Sequence, residues 1–386
     1  MVEEKKSIGI VTIFDVSNFG AELQTYATQK AMQNMGYDAE IIDFPYYKSP
    51  SFKREAVANP FYPYPLKLRL KEMLSGCLRW VRQLTSHKKL DERAHKFKRF
   101  HQENTRFSKE KYNRISSLYK NPPSYDVYCV GSDQVWNPYN FVSLYPYFLT
   151  FASEGSRKMS YASSFGVSTI PSAAQSVFGA CLNGFDAISV REESGARMVE
   201  ELSQKRATVV CDPTLLLDKN DWEQVERGVA EIPERFVLVY ELHPIPYLNM
   251  VAAHVSKLLG IPVVRICSES MATHPGCVNL FNIGPAEFVY LFRHATFVVT
   301  NSFHGTCFSL NFRKNFYCVL SPTQNNNSRQ LSILNHCNLV SRVLYVGDDL
   351  PSLSALPVLY DKADEAIEDL RRISVKFIRT AVDGKD

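Results

Sequence analysis

The hydrophobic and polar positions alternate between two patterns along the chain, short apolar β-branched runs and longer stretches with helical spacing, the signature of parallel α/β units. The first run, Ile8 to Phe14, leads through a polar loop to a helix with Leu23, Tyr26, Ala27, Ala31 and Met35 on one face. Gly36 ends that helix and Glu40 to Phe44 is the next strand, giving a βαβ opening. After an interruption from residue 45 to 124, strands are expected at Tyr125–Val130, Lys158–Ala162, Ala187–Val190 and Ala207–Cys211, with a helix at Glu192–Leu202. A second alternation follows: strands Phe236–Tyr240, Ile261–Ile266, Phe297–Val299 and Asn315–Leu320, and helices Tyr247–Leu259, Pro285–His294 and Ala363–Val382. The expected architecture is two Rossmann-like doubly wound domains facing across a cleft, residues 1–218 and 219–386, with a helical insertion in the first.

The most informative stretch is Thr296 to Phe312, a buried strand breaking sharply into a helix through Ser302-Phe303-His304-Gly305-Thr306. Backbone N–H groups at a helix start have no intrahelical partners, so the turn suits an anion. Gly305 there would let an oxygen-rich ligand approach the backbone. His304 titrates near neutrality and adds a proton carrier. The residues thus point to a phosphate-bearing substrate and acid–base chemistry; a core histidine at a helix cap is the alternative.

Other strand ends carry further candidates. Asn18, Gly20 and Gln24 follow the first strand, where a ligand edge is expected, but the loop lacks the dinucleotide glycine spacing and no NAD is expected. Ser132, Asp133, Gln134 and Trp136 suit a sugar, with polar groups for hydroxyls and a flat ring surface, or else form a structural turn. Arg191 stands where a helix begins and suits a carboxylate or phosphate, unless it serves an ion pair with Glu192 or Asp212. Arg329, after a polar loop, is a second anion anchor or part of a surface loop.

Charge changes the picture in one place. The chain of 386 residues carries a net +4, yet Leu66 to Arg114 holds 15 Lys or Arg against 5 Asp or Glu, a local +10 that leaves −6 elsewhere. Leu66, Leu70, Leu74, Cys77, Leu78, Val81 and Leu84 make this a basic amphipathic helix, suited to pack on the domain or to lie against an anionic membrane surface. No recognition motif accompanies the charge, so nucleic acid is not expected. Nine scattered cysteines without CxxC or metal-ligand spacing fit a reducing compartment, and no apolar run approaches a membrane span. The expectation is a cytoplasmic protein, at most peripheral at the inner face of the membrane, with its oligomeric state open.

Several blocks in order, Asn18-Phe19-Gly20-Ala21-Glu22-Leu23-Gln24, Gly131-Ser132-Asp133-Gln134-Val135-Trp136, Ser189-Val190-Arg191-Glu192, Asp212-Pro213-Thr214 and Ser302-Phe303-His304-Gly305, give the chain its resemblance to the polysaccharide pyruvyl transferase family. The resemblance implies a fold similar to the glycosyltransferase B type. It also implies transfer of the enolpyruvyl group of phosphoenolpyruvate, as a ketal, onto two hydroxyls of a sugar or lipid-linked oligosaccharide in a bacterial surface glycan. It implies catalysis by His304 and Arg191, donor contacts from Arg191, Ser302, Phe303, Gly305, Thr306 and Arg329, and an acceptor on the first domain. No metal or cofactor is expected beyond phosphoenolpyruvate as co-substrate. The chain departs from the family at Ser302, where many members carry arginine, so Arg329 is the expected substitute. The rival readings are a nucleotide-sugar glycosyltransferase and an inactive glycan-binding protein.

Overall fold

The computed structural model describes residues 5–55, 59–61, 87–140, 142–267, 273–323 and 327–384. The chain divides into two compact units: residues 1–190, 194–209 and 378–386 form unit 1, and residues 191–193 and 210–377 form unit 2. The division thus falls at 209/210 rather than 218/219, and the end of the chain returns to unit 1. Arg191 and Asp212 both belong to unit 2, whereas the strand pattern had grouped them with the first domain.

Unit 1 contains β1 (Ser7–Val11), α1 (Phe19–Asn34), β2 (Asp38–Asp43), α2 (His87–Asn104), β3 (Phe107–Lys111), α3 (Ile115–Lys120), β4 (Val127–Val130), β5 (Arg157–Ser160), α4 (Ser172–Asn183), β6 (Ile188–Val190), all but the first residue of α5 (Glu193–Leu202) and β7 (Ala207–Val209). Five strands form a parallel sheet in the order β3-β2-β1-β4-β5, and β6 pairs with β7. Single bridges, Met159 to Ala187 and Ser163 to Val190, set β6 beside β5. The central strands β1 and β4 are buried on both faces, as an apolar run in a parallel sheet must be, with Ile8 opposite Ala39 on one side and Val127 on the other. Helix α1 starts where Asn18 Oδ1 accepts from the Ala21 N–H at 3.2 Å.

The interruption expected at 45–124 is partly integral. Residues Leu66 to Leu84 lie outside the described residues, but β3, with its charged sequence Phe-Ser-Lys-Glu-Lys, is a parallel edge strand of the main sheet. A charged edge strand gives little apolar alternation to read, and its lysines protect the edge. Helix α2 packs Phe97 on Phe19 and Phe100 on Tyr26, against α1. The second half of the insertion therefore closes the domain instead of decorating it.

Unit 2 contains α6 (Pro213–Leu216), α7 (Lys219–Glu223), β8 (Val237–Tyr240), α8 (Pro246–Leu259), β9 (Val263–Ile266), β10 (Val278–Leu280), α9 (Pro285–His294), β11 (Phe297–Thr300), α10 (Phe303–Asn311), β12 (Asn315–Leu320), α11 (Ser328–His336), β13 (Val343–Tyr345) and most of α12 (Asp361–Asp383). Its sheet is parallel throughout, in the order β10-β9-β8-β11-β12-β13. In each unit the strand order reverses beside the first strand, and ligands of such sheets bind at the carboxyl ends around that point. In unit 2 the reversal lies between β8 and β11, so the turn after β11 stands at it. Among the described residues no helix is long and apolar enough to cross a membrane, and no group of three or more His, Cys, Asp or Glu side chains is arranged to hold a metal ion.

Candidate active site

Strand β11 is wholly buried and delivers the chain to Ser302, whose Oγ accepts from the Gly305 N–H at 3.2 Å and caps α10. His304 is therefore the second residue of a nine-residue helix. Gly305 is required for a reason other than ligand approach: a Cβ there would lie 2.4 Å from Thr300 Oγ1. Thr306 is also turned inward, its hydroxyl donating to the Ser302 carbonyl at 3.0 Å. Ser302, Gly305 and Thr306 thus build the turn.

His304 is almost buried, and its Nε2 lies 3.8 Å from Asp212 Oδ2. Asp212 is the N-cap of α6 and completely enclosed. Its Oδ1 accepts from the Thr214 N–H at 3.0 Å and the Thr214 hydroxyl at 2.7 Å, while Oδ2 accepts from Arg191 Nη1 at 3.0 Å. Burial alone would raise the Asp212 pKa; the positive charges of His304 and Arg191 and the Thr214 hydrogen bonds outweigh it and hold the carboxyl below its ordinary range. An ionised Asp212 thus faces Nε2 of the His304 ring across 3.8 Å. Cys307, one turn on, is not a second nucleophile, because burial and nearby Asp212 push its thiol pKa well up.

Arg191 is enclosed among carboxylates. Its side chain is 0% exposed, with Nη1 on Asp212 and Nε 3.6 Å from Glu192 Oε2. The ion pairs set beside the anion-binding reading are therefore both present. Its guanidinium carbon also lies 4.5 Å from the centre of the Phe303 ring, and that of Arg329 lies 5.7 Å from the same ring. Arg329 thus reaches the Phe303 ring from the first turn of α11. Ser302, as the N-cap, is committed to the turn itself.

The sugar-side expectations fare unevenly. Trp136 is fully buried, stacked on Phe148 at 5.6 Å and 4°, with its indole N–H donated to the Tyr147 carbonyl at 2.9 Å. It is a core residue and offers no face to a ring; an aromatic after a polar turn reads alike in either role. Gln24 is equally enclosed, its amide N–H groups donating to Thr12, Ile13, Ala21 and Thr25. Ser132 and Gly20 are buried as well, and Asp133 and Gln134 hold the β4 turn, where Asp133 has φ +73°. Asn18 alone of this set is exposed, on the wall of a cavity described below.

Asp212 entered the sequence reading as an alternative ion-pair partner of Arg191 and in the Asp-Pro-Thr block, not as a neighbour of His304. An N-cap aspartate before proline marks a helix start; its second carboxylate oxygen faces His304 only through the tertiary fold.

Two Rossmann-like units in one chain, with a carboxylate-supported histidine at the switch point of the second, define a two-unit fold of the glycosyltransferase B type. The model of the family described as "Polysaccharide pyruvyl transferase" matches residues 18–321, and the chain belongs to that family. Among solved structures it is similar to a UDP-N-acetylglucosamine 2-epimerase from Rickettsia bellii, at 8% identity and TM-score 0.52 over 98% of each chain. It is likewise similar to a putative UDP-N-acetylglucosamine 2-epimerase from Listeria monocytogenes, at 10% identity and TM-score 0.52 over 99% of this chain and 98% of that one. These similarities establish fold alone. No curated protein matches the chain significantly.

Proposed function

We propose that the protein transfers the enolpyruvyl group of phosphoenolpyruvate onto two hydroxyls of a sugar, forming a pyruvate ketal in a bacterial surface polysaccharide or its lipid-linked precursor. The observation that carries the reading is the Asp212–His304 pair at the start of α10 in a chain of the pyruvyl transferase family. The anionic donor lies at the α10 N-terminus with Arg329 as its cationic anchor. Protonated His304 delivers its proton to the terminal enol carbon, and positive charge develops at the carbon bearing phosphate. One sugar hydroxyl adds there and loses its proton. A second adds as inorganic phosphate departs, so each phosphoenolpyruvate yields one ketal and one phosphate. Asp212 stabilises the imidazolium, Arg191 holds Asp212 ionised, and the scheme needs no metal or cofactor. A positioned acid contributes about 10²- to 10⁴-fold, and holding two reactants together supplies ~7 to 11 kcal/mol of the barrier.

The test is acceptor-dependent phosphate release from phosphoenolpyruvate, with lipid-linked and nucleotide-linked sugars offered as acceptors. His304→Asn should lower turnover by about 10²-fold or more while donor binding changes far less. Near-normal turnover in the folded variant removes His304 from the role. UDP-N-acetylglucosamine, the substrate class in the neighbours' names, is the control: raising the melting temperature with it but not with phosphoenolpyruvate would favour the nucleotide-sugar reading.

A further inference from the structure

Unit 1 has a cavity of about 850 Å³ at the carboxyl ends of β1, β2 and β3. Its size is within the ~300–1,000 Å³ of small-molecule sites, and its position is the ligand edge of a parallel sheet. One wall is aromatic, with Phe14 against Phe107 at 5.1 Å and Phe97 from α2 beside them. The polar groups fall into two sets. His101 and Glu22 are a closed set: Nε2 of the ring meets Glu22 Oε2, Nδ1 lies 2.9 Å from the Thr105 hydroxyl, and Glu22 Oε1 accepts from the Val16 N–H at 2.6 Å. They make a rigid floor.

Asp15 and Asp43 are the second set. Asp15, with φ +59°, projects from the β1–α1 loop and accepts from the Ser49 hydroxyl; Asp43 ends β2, with Lys111 Nζ 3.6 Å away. Both carboxyls line the same cavity; burial raises the Asp43 pKa, with Lys111 opposing and the Asp15 charge adding to it. Lys48, Lys98 and Lys111 line the cavity against Asp15, Glu22 and Asp43, so its fixed charge is balanced apart from His101. Balance disfavours an anion or a cation. Neighbouring carboxylates facing an aromatic wall match a ring with adjacent hydroxyls on an apolar face.

We infer that this cavity binds a neutral sugar unit of the acceptor, with Asp15 and Asp43 accepting from its hydroxyls. The assignment rests on the acceptor being a glycan, and it moves the sugar site from Gln24 and Trp136 to the cavity that Asn18 lines.

The experiment is saturation-transfer NMR on the full chain with methyl galactoside, methyl glucoside and methyl mannoside, against glucuronate and inorganic phosphate. At least one neutral glycoside should take up saturation, with apparent affinity falling about fivefold or more in Asp15→Asn and Asp43→Asn, as for one weakened charge-assisted hydrogen bond. Asparagine tolerates the left-handed backbone at 15, and melting curves check both variants. Ala94→Trp, on an exposed part of the rim, should block binding without touching either carboxylate. No saturation of any neutral glycoside, undiminished binding in Asp15→Asn and Ala94→Trp, or preferential binding of glucuronate or phosphate overturns the inference. Phosphoenolpyruvate affinity measured on the same samples reports on the donor alone: its absence with glycoside binding intact defeats the donor reading and leaves the cavity assignment standing.

Discussion

Replacing Asp212 with Asn tests the site at its most connected atom. The carboxylate accepts two hydrogen bonds from Thr214, one from Arg191 and the field of His304, all without contact with solvent. Asparagine keeps the size and leaves Arg191 with Glu192 at 3.6 Å as its remaining described carboxylate. Breaking one side of a buried ion pair costs about 3–5 kcal/mol, so the denaturation midpoint should fall by that equivalent. The pH dependence has a definite sign. A carboxyl whose folded pKa is depressed contributes stability that is complete above its unfolded value of about 3.9 and is lost as pH falls through the folded value. The wild-type advantage over Asp212→Asn should therefore shrink as pH drops below about 4. Denaturant melts of wild type, Asp212→Asn, Arg191→Met and the double variant give a coupling energy, expected to be ~2 kcal/mol or more because removing both charges strands neither. Equal midpoints for wild type and Asp212→Asn, or additive single variants, would refute the network.

Three further outcomes follow from particular contacts. Trp136→Ala should lose about 3–5 kcal/mol of stability while the glycoside affinity of the folded fraction is unchanged; parallel loss of sugar binding at constant stability would reinstate Trp136 as a sugar platform. Gly305→Ala should cost about 1–3 kcal/mol because its Cβ meets Thr300 Oγ1, and Thr300→Ala should recover part of that; a neutral Gly305→Ala would show that the turn has room. Burial, aided by Arg293, lowers the Lys314 pKa to about 8, so the unfolded chain binds more protons between that pH and about 10.4 and stability should rise there with pH. Lys314→Met should flatten this slope in pH-dependent melts, and an identical slope would refute it.

Strand and helix content was readable wherever burial was uniform. Pro285–His294 and Asn315–Leu320 have the bounds their patterns give, since an apolar parallel strand or a proline-started helix leaves a local signal. The strands β3, β10 and β13 left none. They are short and lie at or toward sheet edges, with residues such as Lys109, Glu110 and Asn279 where alternation would have to appear. The place of His304 at a strand-to-helix turn was legible because a buried strand leading into Ser-Phe-His-Gly restricts what the turn can be. Asp212 was legible as an ion-pair partner of Arg191, 21 positions away, but its approach to His304, 92 positions away, was not, because one-dimensional spacing has no term for that contact. The same blindness affected Trp136 and Gln24: residue type announces hydrogen-bonding capacity, and only packing decides whether the core or a ligand uses it.

The energetics of the cluster also bear on what it is for. Arg191, Glu192, Asp212 and His304 bring four ionisable side chains into an interior where each charge forfeits several kcal/mol of hydration, and apolar residues of similar volume would usually serve the fold as well or better. A purely structural brace at this position would need only Ser302 as cap and Gly305 for clearance, both of which the turn already has. The added ions do something the cap does not. Arg191 keeps Asp212 ionised, and Asp212 presents a negative charge to one edge of an imidazole at the start of a helix that favours anions. On the proposed function, His304 would give its proton to the bound donor, and the Asp212 carboxylate would draw the next proton back. That cycle needs His304 to be protonated in the resting site, so donor turnover should fall on the alkaline side as the imidazole deprotonates, and weakening the Asp212 charge should move that fall to lower pH. A pH–rate profile whose alkaline limb is the same in wild type and Asp212→Asn would separate the ion cluster from the chemistry and return it to the fold.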